Sequence, residues 1–343
     1  MHPLVEKVLQ GEVRATARLL RQIDDRVGSW REALAQLYPH TGRAEVLGIT
    51  GNPGAGKSTL TDQLVASYRK DGRRVAVLAV DPTSPFSGGA ILGDRIRMQR
   101  HALDPGVFIR SLATRGQLGG LSRSTADSVA VLDAFGAEVI LVETVGVGQD
   151  ELDIAKLAHS TVVVMAPGLG DDVQAVKAGL LEVADVFVVN KADRDGADAT
   201  VRDLEMMIGL GHELLHSGAH SLGHAAGTLD LAREAHRTLA ESEWLVPVVK
   251  TVASRGEGVP ALREALAKHR EHLAGTDRGA ARRAQSAREN LRVVFQALLL
   301  ERATTCLGEH LERAAEAILA RREDPYTAAT ELLERFLASP RAP

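Results

Sequence analysis

The most specific chemistry in the chain lies in Gly51, Asn52, Pro53, Gly54, Ala55, Gly56, Lys57 and Ser58, which fit the phosphate-binding pattern G-x-x-x-x-G-K-S. The glycines let the backbone curl so that its N–H groups converge on an anion, and the positive end of the following helix favours negative charge. Lys57 reaches the terminal phosphates and Ser58 offers its hydroxyl to Mg²⁺; Thr59, next along, joins them as a nucleotide-binding position. A second motif, Asn190-Lys191-Ala192-Asp193, selects the base. A carboxylate at Asp193 accepts from both N1–H and the 2-amino group of guanine, and adenine has neither donor there. ATP would leave that carboxylate unpaired, a loss of about 1.5–3 kcal/mol for a hydrogen bond to a charged group. Asn190 braces this loop, and the stem of Lys191 lies over the purine. In the stretch 251–256, Ala253 and Ser254 are placed to bring a backbone N–H to guanine O6.

Two further acids, Asp81 and Glu143, end β-type runs near the phosphates. Glu143-Thr144-Val145-Gly146 has the form acid-x-x-Gly, which puts the acid near Mg²⁺ and the Gly146 N–H within reach of the γ-phosphate. Many GTPases place a water-orienting glutamine directly after that glycine. Here the residue is Val147, which cannot hydrogen-bond, and Gln149 lies two residues further on.

The elements that must hold these groups are legible in the hydrophobic pattern. Short β-branched runs at 45–50, 74–80, 139–142, 161–165, 186–189 and 245–250 alternate with longer helical patterns, which predicts an α/β fold with a mainly parallel central sheet flanked by helices. The phosphate loop, both acids and the guanine motif each follow one of these runs, at the strand ends where such sheets bind ligands. Upstream, the apolar spacing predicts an amphipathic helix over 4–23 and another over 31–37, broken by 39–42. Downstream, a helix from 259 to about 273 is followed by a linker-like stretch, 274–279. Leu291, Val294, Phe295 and Leu298 then make one helical stripe, and Leu307, Leu311, Ala315 and Ile318 another. Asp324 and Pro325 stop the second helix, and Leu332, Leu333 and Phe336 start a third. The expected plan is a helical extension (1–42), a P-loop GTPase domain (43–273) and a C-terminal helical arm (274–343), which either caps the sheet domain or docks on a second copy.

Composition narrows the partners. With 343 residues, 45% hydrophobic and 25% charged, the chain is globular rather than disordered. A net charge of −4 and 3% aromatics argue against nucleic acid, through either the phosphate backbone or base stacking. No apolar run approaches the roughly 18 residues that span a bilayer, and the first residues lack the pattern of a secretion signal. Cys306 is the single cysteine and cannot close an internal disulfide. The expectation is a cytoplasmic protein with no membrane partner.

Taken together, the phosphate loop, Val80-Asp81-Pro82-Thr83-Ser84-Pro85, Gly93-Asp94-Arg95, Ala113-Thr114-Arg115-Gly116-Gln117-Leu118-Gly119-Gly120, Glu143-Thr144-Val145-Gly146-Val147-Gly148-Gln149 and Asn190-Lys191-Ala192-Asp193 resemble the MeaB family, which also carries the names MMAA and ArgK, the latter an arginine-transport kinase label. The resemblance implies a G domain of the SIMIBI type, acting as a GTP-hydrolysing chaperone of adenosylcobalamin-dependent methylmalonyl-CoA mutase or a related acyl-CoA mutase. It implies Mg²⁺ surrounded, directly or through water, by Ser58, Asp81, Asp94 and Glu143. It also implies a mobile switch in 167–185 containing Lys177, a homodimer built on the C-terminal helices, and GTP hydrolysis that is slow alone and stimulated by the mutase. An adenosyltransferase is a further implied partner, and no organic cofactor is held by the protein itself. Two other readings share the phosphate loop: a P-loop kinase, disfavoured by the guanine-selecting Asp193, and a nickel or cobalt metallochaperone GTPase. The second rests on His212, His216, His220 and His224, in a stretch longer than the family usually shows and including the string H-E-x-x-H. Glycines at 211, 218, 223 and 227 weaken a continuous helix there, so these histidines read as surface decoration. The basic run Arg278, Arg282, Arg283, Arg288 and Arg292 reads as a solvated helix face.

Overall fold

The computed structural model describes residues 2–81, 98–101, 103–113, 120–144, 150–168, 183–217 and 244–339. Seven strands, β1 (Glu45–Gly51), β2 (Val75–Asp81), β3 (Val107–Ala113), β4 (Val139–Thr144), β5 (Ser160–Met165), β6 (Val186–Asn190) and β7 (Val248–Thr251), form one sheet among the described residues. Their order is β3-β2-β4-β1-β5-β6-β7, and every neighbouring pair is parallel, as the alternating pattern predicts. The connections run to one side of β1 through β2 to β4 and to the other side from β5 onward. The strand order therefore reverses at β1, and the crevice beyond its carboxyl end is the position where such sheets receive ligands.

Every residue of β1 is buried, so its two-residue side-chain period feeds two cores. On one face, Val46 packs with Ala76, Leu78, Ile140 and Val142 under the helices α1 (Pro3–Leu9), α2 (Val13–Asp25) and α3 (Trp30–Leu37), with α5 (Gly120–Ala134) and α6 (Asp150–Leu157) beside them. On the other, Leu47 and Ile49 pack with Val77, Leu141 and Val162 under α4 (Lys57–Lys70) and α8 (Val259–Gly275). A third cluster joins Val163, Met165, Phe187 and Val189 to Leu204 of α7 (Ala197–Ser217). The N-terminal helices thus share a core with the sheet.

Several expectations change. The helix expected over 4–23 is two helices, because Gly11 takes a left-handed φ of 79° between them. Strand β3 had no counterpart in the sequence reading. It is an edge strand whose alternation is interrupted by Arg110, and that guanidinium is committed to an ion pair with Asp24 of α2. The ladder of β7 starts at Val248 rather than 245, after Pro247, which has no N–H to give. The stretch 274–279 is a corner rather than a linker. Thr276 caps α8 with extended backbone, and α9 (Asp277–Leu319) begins at the next residue. The two apolar stripes of the arm lie on this one helix, followed by α10 (Pro325–Ala338), which Asp324 caps through the N–H groups of Tyr326 and Thr327. Compact units divide at Ser286 and Ala287, inside α9. Within the second unit Leu291, Phe295, Leu300, Leu333 and Leu337 are exposed. In the first, Arg282 of the basic run is not simply solvated: its guanidinium meets Asp185 in two hydrogen bonds of 2.8 and 2.9 Å.

Candidate nucleotide site

Beyond β1 the chain turns through Asn52, Pro53, Gly54 and Ala55 and enters α4 at Lys57, with Ser58 and Thr59 in the first turn. Gly51 has φ 125°, and a Cβ there would overlap the backbone of Val164 on β5, so only glycine lets β1 turn this close to its neighbour. The Lys57 ammonium folds back over the loop, donating to the carbonyls of Gly51 at 2.8 Å and Asn52 at 3.0 Å. It is thereby held at the mouth of the loop, where the outer phosphates of a nucleotide would meet it.

Glu143 lies at the end of β4, nearly fully buried, and its Oε1 accepts the Ser58 hydroxyl at 2.5 Å. Directly behind them, Thr144 Oγ1 donates to Thr50 Oγ1 at 3.0 Å and ties the ends of β4 and β1 together. A hydroxyl and a carboxylate oxygen converging at the start of α4 are the hard donors that Mg²⁺ takes, so the residues present fit that ion. Asp81 ends β2 one residue beyond Val80, which is in register with Thr144. That places its backbone at the same edge as Glu143.

The base-loop half of the candidate site is organised by Asn190. Its Nδ2 donates to the Ala55 carbonyl in the phosphate loop at 2.8 Å. Its Oδ1 accepts from both Thr251 Oγ1 and the Ala253 N–H, each at 3.0 Å. One side chain, 2% exposed, therefore joins β6, the phosphate loop and the loop after β7. Gly56 has φ 93°, and a Cβ there would overlap the Asn190 amide nitrogen. The glycine before the lysine thus makes room for Asn190 as well as shaping the phosphate loop. Lys191, at a left-handed φ of 57°, bridges the same gap from outside, donating to the Gly54 carbonyl at 2.6 Å.

The loop after β7 carries Ala253 and Ser254, from which a backbone N–H is expected at guanine O6. Asn190 takes the Ala253 N–H, so that donor is already engaged in this structure. Asp193 stands at the turn after β6, half-exposed, with Arg255 at 3.4 Å. Asp94, Gly146 and Lys177, together with Arg115, Val147 and Gln149, lie outside the described residues. Of the four histidines, His212 and His216 fall on α7, and His220 and His224 lie outside the description.

A phosphate loop, a part-buried Ser58–Glu143 pair and an Asn190-braced base loop are thus gathered at one edge of a parallel sheet. The family described as methylmalonyl-CoA mutase-associated GTPase MeaB matches residues 17–306. This chain belongs to the MeaB family. MeaB proteins are GTPases by that description, so a guanine nucleotide is the ligand expected at the edge of the sheet, usually with Mg²⁺. A proposed GTPase of Pyrococcus abyssi is 45% identical over 336 residues, covering 97% of this chain and 96% of the relative. The mouse methylmalonic aciduria type A homolog, a mitochondrial protein, is 30% identical over 292 residues, which are 84% of this chain and 65% of that one. The crystal structure of an LAO/AO transport system kinase superposes with a TM-score of 0.65 over 98% of this chain and 97% of that one. At 24% identity that likeness shows the fold.

Sequence reasoning gave no role to three residues of the site. Thr251 supplies a hydroxyl to Asn190, Arg255 faces Asp193, and Glu257 grips Arg255. The available signal was an Arg and a Glu flanking Gly256 directly after a guanine loop.

Proposed function

We propose that this MeaB-family chain binds GTP through the phosphate loop and Asp193, hydrolyses it with Mg²⁺, and acts as a chaperone of a B12-dependent acyl-CoA mutase. The observation that carries the proposal is Asn190, which links the phosphate loop to the base loop, in a chain whose family is described by its association with methylmalonyl-CoA mutase. The name of the mouse relative points to the same metabolism.

The residues divide the work. Backbone N–H groups of 51–58, Pro53 apart, and the N-terminus of α4 receive the phosphates, and Lys57 supplies a positive charge at their outer end. Ser58 and Glu143 hold Mg²⁺, with Asp81 and Asp94 completing its surroundings directly or through water. The ion supplies charge neutralisation on the β- and γ-phosphates. Asp193 reads guanine N1–H and the 2-amino group, Ser254 donates its N–H to O6, and Lys191 covers the purine. With Val147 where a water-orienting glutamine would stand, hydrolysis is slow until the mutase orders the switch. Lys177 and Gly146 then contribute at the γ-phosphate. Transition-state stabilisation of this kind appears only when its donors are held in place. The exposed apolar residues of the arm fit a homodimer. The MeaB match favours this reading over a kinase or a nickel or cobalt metallochaperone.

Two measurements test it. Direct titration should give tight GDP and GTP binding and weak ATP binding, and equal affinities would overturn the reading of Asp193. In size-exclusion chromatography, purified methylmalonyl-CoA mutase should co-elute with the nucleotide-loaded protein. Independent elution of both at micromolar concentrations with every nucleotide would overturn the mutase assignment.

A further inference from the structure

The base-reading carboxylate is braced by a neighbouring loop. After β7 the chain makes a 3-10 turn over Ala253–Arg255 and folds back, so that Val252 and Glu257 pair antiparallel and the Val252 N–H donates to the Glu257 carbonyl at 3.0 Å. Gly256 makes the reversal at φ 73°. Arg255 and Glu257 meet across it: Nε donates to Oε1 at 2.7 Å, and Nη2 to Oε2 at 3.2 Å. This two-pronged grip is the geometry in which a guanidinium is held most firmly by a carboxylate. It uses one edge of the fork and leaves Nη1 directed at Asp193, whose Oδ2 accepts it at 3.4 Å. Glu257 therefore fixes Arg255, and Arg255 fixes Asp193. The hydrogen bond from Arg255 also holds the Glu257 carboxyl below its usual range, which keeps the grip ionised.

A carboxylate has about four lone-pair positions. Arg255 occupies one on Oδ2, leaving Oδ1 and the second position of Oδ2 for guanine N1–H and the 2-amino group. The arginine has no need to leave when the base arrives. The same short loop carries the Ser254 N–H proposed for O6. The O6 donor and the brace on the reader of the opposite edge thus move as one piece.

Resting on the reading of Asp193 as the guanine-binding carboxylate, we infer that Arg255, held by Glu257, is a positioning residue that orients Asp193 toward the guanine edge and sets discrimination between guanine and hypoxanthine. Hypoxanthine keeps N1–H and lacks only the 2-amino group, so comparing the two bases isolates the second of the two contacts that the carboxylate makes. All three side chains are 39–58% exposed. An ion pair in such a place stabilises the fold little and weakens with salt. Its consequence is therefore to be sought in base choice rather than in stability.

The test is calorimetric titration of the full chain with GDP and with IDP, at 50 mM and 500 mM salt. Wild type should prefer GDP. Arg255→Ala should weaken GDP about three- to fivefold, the scale of one exposed charged contact, while IDP changes by less than twofold, so the preference narrows. Glu257→Ala should move the ratio in the same direction, and the double variant should be no worse than Arg255→Ala. Arg255→Lys should restore part of the preference, and high salt should reduce it in wild type. Equal weakening of both nucleotides would make Arg255 a general support of the loop and overturn the inference. An unchanged ratio, or tighter GDP binding by Arg255→Ala, would overturn it as well. Failure of wild type to bind GDP would instead refute the guanine-site reading on which it rests.

Discussion

Replacing Asn190 by alanine removes three hydrogen bonds at once: to the Ala55 carbonyl at 2.8 Å and from Thr251 Oγ1 and the Ala253 N–H at 3.0 Å. All three partners then lose their acceptor or donor beside a nearly fully buried position. A buried polar group left unsatisfied costs about 1–3 kcal/mol. The site borders an open nucleotide pocket where water can recover part of this, so the lower end applies and the sum is about 3 kcal/mol. In the variant, the phosphate loop and the base loop are held together only by the exposed Lys191–Gly54 contact and by the ligand, so most of this cost falls on binding. At 1.4 kcal/mol per factor of ten, GDP affinity should fall about 100-fold. Thr251→Val removes one of the three bonds and should cost about 1 kcal/mol, roughly fivefold. Combining it with Asn190→Ala should add almost nothing, since the shared partner is already gone. The assay is calorimetric GDP titration of the three variants, with thermal unfolding of each in parallel. GDP binding by Asn190→Ala within threefold of wild type, at an unchanged melting temperature, would refute the assignment of Asn190 as the link between the two halves.

Asp185 is buried between the Thr161 N–H at 2.8 Å and the Arg282 guanidinium, so Asp185→Ala should lower the unfolding free energy by about 3 kcal/mol, the low end for a broken buried pair because Arg282 is partly exposed; chemical denaturation reads this directly. His159 is held below the usual imidazole range by burial, and its Nδ1 accepts the Val46 N–H at 3.1 Å, so the folded protein keeps it neutral. The unfolded chain then binds the extra proton first, and stability contributed by this group is present above about pH 6.5 and lost as pH falls below it. His159→Gln should therefore flatten the fall in melting temperature between pH 7 and 5.5. For the arm, Leu291→Asp with Phe295→Asp should shift the mass in light scattering from dimer to monomer while leaving GDP affinity within twofold, since both residues are exposed on α9 and belong to the second compact unit.

The phosphate loop and the guanine motif were legible because their chemistry is local: consecutive residues at a strand end suffice to specify it. The parallel sheet followed from alternating β-branched runs, and five of its strands were placed within two residues at each end. β3 was missed because Arg110, which pairs with Asp24 from a distant helix, looks polar in isolation. Gly11 was passed over within an otherwise regular apolar period, and its left-handed φ splits the helix. The engagement of the Ala253 N–H could not be read locally. It depends on where Asn190, more than sixty residues away, spends its oxygen. Arg255 lay inside a motif already singled out, but its role needs the fold of 252–257 to bring it to Asp193.

If hydrolysis waits for the mutase as proposed, single-turnover GTP hydrolysis with and without saturating methylmalonyl-CoA mutase will show it. Alone, the protein should turn over at roughly 10⁻⁴ to 10⁻² s⁻¹, the range of GTPases lacking a complete set of catalytic groups. With the mutase the rate should rise at least tenfold, and Lys177→Ala should lose most of that rise while retaining GTP binding. A fast isolated enzyme, or a rate that no B12-dependent acyl-CoA mutase changes, would contradict the account.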